Sequence, residues 1–120
     1  MMDNIPSPQL PDSLEWREGS KIYHFHPHTA ELLGQCNVSL PLLTHQYKYD
    51  KLYRARSGAI ILITRLDWEG SGGKLHRGDW SVKVLEGMEL YDWLYGLEKE
   101  GALTNVGHEV YNATFAEEEL

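Results

Sequence analysis

Residues 59–68, Ala-Ile-Ile-Leu-Ile-Thr-Arg-Leu-Asp-Trp, decide the fold. Ala59 to Ile63 is a continuous apolar run rich in β-branched residues, bounded on its N-terminal side by Ser57-Gly58. Such a run is too short for a typical helix and reads as a strand buried on both faces. From Leu62 the pattern alternates. Side chains along a strand point to opposite faces in turn, so Leu62, Thr64, Leu66 and Trp68 share one face and Ile63, Arg65 and Asp67 the other. This strand is the best core candidate.

Working outward toward the C-terminus, Glu69-Gly70-Ser71-Gly72-Gly73-Lys74 reads as a hairpin loop. It fails as a phosphate loop, because position 68 is Trp where Gly is needed and Leu75 follows the lysine where Ser or Thr is needed. Asp79 to Leu85 returns as a partner strand, with Trp80, Val82 and Val84 on one face and Ser81 and Lys83 on the other. Residues 88–101 form the clearest helix. Leu90, Trp93, Leu94, Leu97 and Gly101 fall on one stripe, Tyr91 and Tyr95 widen it, and Glu89, Asp92, Lys99 and Glu100 cluster opposite. Gly101 is a natural stop. Val106 to Phe115 is predicted as a last strand, and residues 116–120 as an acidic disordered tail.

Toward the N-terminus, Leu42 to Arg56 fits two periods. Leu42, His45, Tyr49, Leu52, Tyr53 and Arg56 recur at helical spacing, whereas Tyr47, Tyr49 and Tyr53 interleaved with basic residues suit a strand or loop. Lys21 to Phe25 is predicted to form a hairpin with a second strand near Gln35 to Leu40, turning at Pro27 to Glu31. Residues 1–14, with Pro6, Pro8 and Pro11, read as a flexible arm, and Leu14 and Trp16 as the start of a single domain over 15–115. The predicted class is α+β: an antiparallel sheet of four to six strands with one main helix packed on a face.

A chain of 120 residues with 42% apolar content supports a core without staples. Cys36 is the only cysteine, so no intrachain disulfide forms, which fits a reducing, cytoplasmic compartment. No apolar run is long enough to span a bilayer and no signal peptide is expected. The net charge of −7 opposes general binding to nucleic acid and favours a partner protein with a basic surface. Residues 48–56 are the exception, with four basic residues and one acid, which gives +3 there and −10 elsewhere.

Three sets of residues are candidate sites. On the helix, Glu89, Tyr91, Asp92, Tyr95 and Glu100 offer aromatic anchors among acids, a pattern suited to docking on a basic protein surface. His24, His26 and Glu31, with His108, are the candidate ligands of a divalent transition metal, since two imidazoles on one strand face can share an ion. The alternative is half-exposed histidines beside a turn. Tyr47, Lys48, Lys51, Tyr53, Arg54 and Arg56 are the candidate single-stranded nucleic-acid patch, by base stacking and phosphate contact. Carboxylates are scattered, and no paired acid–base site can be picked out.

Two local resemblances accompany the histidine segment. Gly19, His24, His26 and Glu31 resemble the first motif of the cupins, which implies a metal-binding barrel. The glycine-to-histidine gap is one residue short, and the second motif lacks its proline before His108 and Asn112. Tyr23, Pro27, Thr29, Glu31, Leu33 and Gly34 resemble a hairpin of phage tail-fibre assembly and tail proteins, about a tenth of the chain. That resemblance implies a phage-derived interaction protein acting in a host cytoplasm. The leading expectation is therefore a small, acidic, non-enzymatic interaction module.

Overall fold

A computed structural model describes residues 8–41 and 45–120. The chain is α+β. Its strands are β1 (Leu14–Glu18), β2 (Lys21–Phe25), β3 (Glu31–Pro41), β4 (His45–Arg54), β5 (Ile60–Glu69), β6 (Leu75–His76) and β7 (Ser81–Leu85). Two helices follow, α1 (Gly87–Lys99) and α2 (Asn105–Thr114). β1 and β2 form an antiparallel ribbon. β3 to β7 form a five-stranded antiparallel sheet in the order β3-β4-β5-β6, with β7 also paired to β5.

The run at 60–63 is the middle of this sheet and is buried on both sides, as its composition demands. Ile60 and Leu62 face the helices and pack with Leu33, Leu52, Leu85, Leu94 and Leu97. Ile61 and Ile63 face the opposite way, toward Phe25 and Tyr53, where Leu14, Trp16, Trp80, Val82 and Val84 complete the cluster. Each fully buried side chain of this size contributes about 1.5–3 kcal/mol. The sheet thus lies between the β1–β2 ribbon and the helix pair.

Beyond Leu62 the helix-side face of β5 opens to solvent. Leu66 and Trp68 are 40% and 38% exposed. The helices cover only the end of the sheet that carries Ile60 and Leu62. On the opposite face Asp67 is buried, with Arg65 Nε donating to Oδ1 at 2.8 Å and Gly78 N at 2.9 Å. A buried carboxylate held in this way is structural.

Two further expectations are corrected and one ambiguity is resolved. Lys21–Phe25 pairs with Leu14–Glu18, not with residues 35–40, because Gly19 adopts a φ of 62° and closes a tight turn. The partner of β3 is β4, from Glu31↔Arg54 to Pro41↔His45. The ambiguous 42–56 segment is a strand over His45–Arg54, and its residues 42–44 lie outside the described residues. Val106 to Phe115 is helical and not extended. Thr104 caps it, accepting from Gly107 N at 3.0 Å and donating to Leu32 O at 2.6 Å. Val106, Val110 and Tyr111 then pack on the helix-side core. Residues 1–7 of the predicted arm are not described, while Leu10 and Leu14 pack against the ribbon-side cluster. Among the described residues no helix is long and apolar enough to cross a membrane.

Candidate functional site: an acidic cleft beside α1

The cleft is set by strand register and helix phase together. Cys36 on β3 stands opposite Asp50 on β4. Asp50 is in phase with Leu52, so both point to the helix side. α1 crosses that side with Leu94 and Leu97 turned down into the core. Its flank toward β3 and β4 carries Asp92, Trp93, Gly96, Leu97 and Glu100, and with Cys36 and Asp50 these line a cavity of about 290 Å³.

Three carboxylates converge there. Asp92 and Glu100 are exposed at the rim, whereas Asp50 is only 5% exposed. Lys48 Nζ lies 3.7 Å from Asp50 Oδ2, but the lysine side chain is 49% exposed, so it is a weak counterion. Among the described residues the buried Oδ1 of Asp50 has no hydrogen-bond partner. Burial pushes the Asp50 carboxyl above its usual range, against the opposing pull of Lys48. Burial, then the charges of Asp50 and Glu100, push the Cys36 thiol up as well, again opposed by Lys48. The thiol is therefore held protonated, the reverse of an activated nucleophile.

Gly96 shapes the mouth. It lies within α1, and a Cβ added there would meet nothing within 4 Å. Close packing does not require glycine at this position, and glycine inside a helix costs about 1 kcal/mol relative to alanine. Its effect is to leave the cleft without a side chain at its entrance.

The five helix residues singled out by sequence fall in three places. Asp92 and Glu100 line the cleft. Tyr91 and Tyr95 turn toward α2, with ring centroids 5.9 and 6.4 Å from Phe115, and remain 43% and 50% exposed. Glu89 accepts from Lys83 Nζ at 2.7 Å.

The expected metal ligands do not converge. His24 Nδ1 lies 3.5 Å from Glu15, Glu31 accepts from Arg54 Nε and Nη2 at 3.0 and 2.8 Å, and His108 is exposed on α2. His26 follows β2 and lines a recess of about 200 Å³ with His24 and Arg56. Among the described residues no group of three His, Cys, Asp or Glu is placed to hold a metal ion.

The basic patch is dispersed by the same alternation that builds β4. Lys48 and Arg54 point to the helix side, toward Asp50 and Glu31 respectively. Tyr47, Lys51 and Tyr53 point the other way. Tyr53 is buried in the core, Tyr47 donates to Glu69 at 2.8 Å, and burial pushes the Lys51 ammonium down. Arg56 lies beyond the strand.

Sequence reading missed Asp50, Cys36 and Gly96 as members of a site. A signal existed for Asp50. Once residues 45–54 are read as a strand, it shares the buried face of Leu52 and is a carboxylate where an apolar residue belongs.

Comparison with family models, with curated proteins and with solved structures found no match to this chain.

Proposed function

We propose that the protein is a small acidic interaction module, without catalytic activity, that docks on a basic surface of another protein along the flank of α1. The observation that carries this reading is the grouping of Asp92 and Glu100 with the buried Asp50 in one cleft. The net charge of −7 supports it, because a single-signed surface steers association with an oppositely charged partner. So does the engagement of Glu31, Tyr47, Lys48 and Arg54 in contacts within the fold. As a biological role, the reading fits an assembly factor, or an inhibitor that occupies the basic groove of a nucleic-acid-binding complex. The phage origin rests on the Tyr23 to Gly34 spacing alone.

The test is calorimetric titration with a lysine-rich peptide and a glutamate-rich control of equal length. The lysine-rich peptide is expected to bind, more weakly as salt rises, and to lose most of its affinity when Asp92→Lys and Glu100→Lys are combined. Equal affinity for both peptides, or no effect of the double change, contradicts the reading.

A further inference from the structure

The cleft differs from an ordinary acidic surface in one respect: its deepest charge is buried and incompletely compensated. A carboxylate removed from water is costly unless paired and hydrogen-bonded. Asp50 is 5% exposed, its Oδ1 has no partner among the described residues, and its nearest cation, Lys48, stands 3.7 Å from the other oxygen and is itself half in solvent. Directly across the strand pair is Cys36, a neutral thiol that cannot compensate it. The rim adds two further carboxylates and no cation among the lining residues. The lining thus presents three carboxylates and no positive charge, with Lys48 alone near Asp50.

The walls restrict what can supply that charge. Cys36, Trp93 and Leu97 give the cavity an apolar lining between the rim acids and Asp50. At about 290 Å³ it falls just below the range of about 300–1,000 Å³ typical of drug-sized ligands. That space accommodates one extended side chain, and three lining carboxylates disfavour a phosphate-bearing ligand. A bare metal ion is poorly served, because no group of three metal-binding side chains is arranged to hold one among the described residues. The fitting ligand has an apolar stem of several carbons and a cationic head. The stem lies along the indole of Trp93 and the Leu97 side chain, and the head reaches Asp50. An aromatic wall adds attraction for such a head.

We propose that this cleft is a receptor for one lysine or arginine side chain projecting from the partner protein, with Asp50 as counterion to the inserted ammonium or guanidinium. Asp92 and Glu100 draw the basic segment to the rim, and Gly96 leaves the entrance clear. The proposal rests on the interaction-module reading and adds to it a defined pocket, a ligand chemistry and an anchor residue.

Cys36 makes the pocket readable, because it is the only cysteine and lines the cavity. The first experiment compares its rate of modification by aminoethyl methanethiosulfonate, a cation, with that by sulfonatoethyl methanethiosulfonate, an anion. The cation-to-anion ratio is expected to exceed that of glutathione by about tenfold or more, as a site of one sign concentrates its counter-ion. Asp50→Asn is expected to lower the ratio, and Nα-acetyl-lysine methylamide to slow the cationic reagent while its norleucine counterpart does not. A ratio equal to that of glutathione, or equal protection by the norleucine compound, overturns the proposal.

Gly96→Leu supplies a second variant, on an exposed helix position with space around the Cβ. It is expected to close the entrance and abolish protection by the lysine compound. If the same variant and Asp50→Asn bind the lysine-rich peptide as the parent chain does, the pocket proposal fails while the surface reading stands. If the parent chain binds no basic peptide, the surface reading fails with it.

Discussion

At the scale of single residues, Asp50 is a buried and poorly compensated charge. Its carboxyl titrates above its usual range because burial disfavours the charge, so the folded state holds the proton more tightly than the unfolded chain. That stabilising contribution is complete below the ordinary carboxylate range and is lost as pH rises through the raised folded value. The groups facing it are Cys36 from β3, Lys48 from β4, and Asp92 and Glu100 from α1, and only Lys48 opposes the shift. Asp50→Asn is therefore expected to raise stability at neutral pH by about 1 kcal/mol, because it removes a buried and poorly compensated charge. Denaturant unfolding at several pH values checks this: the advantage of the variant must shrink as pH falls. Gly96→Ala is expected to add about 1 kcal/mol by helix propensity alone, read as a shift in the unfolding midpoint. Neutral or lower stability in either variant would mean that these residues serve the fold.

At the scale of elements, the two helices are held differently. α1 is anchored by its leucines and was legible, because its apolar stripe repeats at 3.6 residues and Gly87 and Gly101 bound it. β5 and β7 were legible for the same kind of reason, a period of two with glycine punctuation. α2 was not, since ten residues with small and β-branched side chains satisfy both periods. What decides in its favour is tertiary: Thr104 binds the β3 backbone, and Gly107 presses against Leu33 O, where an added Cβ would stand only 1.9 Å away. Gly107→Ala is expected to cost about 3 kcal/mol by forcing the helix off the sheet, visible as a lowered thermal midpoint with loss of near-ultraviolet signal from Tyr111 and the α1 tyrosines. An unchanged midpoint would contradict the close seating of α2. β4 escaped sequence reading because its aromatic and basic residues fit either period, and only pairing to β3 and β5 settles it.

At the scale of the whole molecule, the cleft exists because covering is partial. The sheet is closed on one face by the ribbon and on the other by helices that stop short of Leu66 and Trp68, so α1 has a free flank over the Cys36–Asp50 pair. No linear pattern announces this. Asp50 and Asp92 are distant in sequence and meet only through strand register and helix placement. The acids on α1 were visible in the sequence as a charged face, but the buried charge beneath them was not. In the proposed reading, the net charge of −7 steers a basic partner toward the molecule and the cleft fixes where it docks.

The most direct test of this account is to map where a lysine-rich peptide lands, by amide chemical-shift perturbation in the folded protein at physiological salt. Saturable shifts are expected, concentrated at Cys36, Asp50, Trp93, Gly96 and Glu100. Shifts centred on the β1–β2 ribbon or on His24 and His26, with the α1 flank silent, would contradict it.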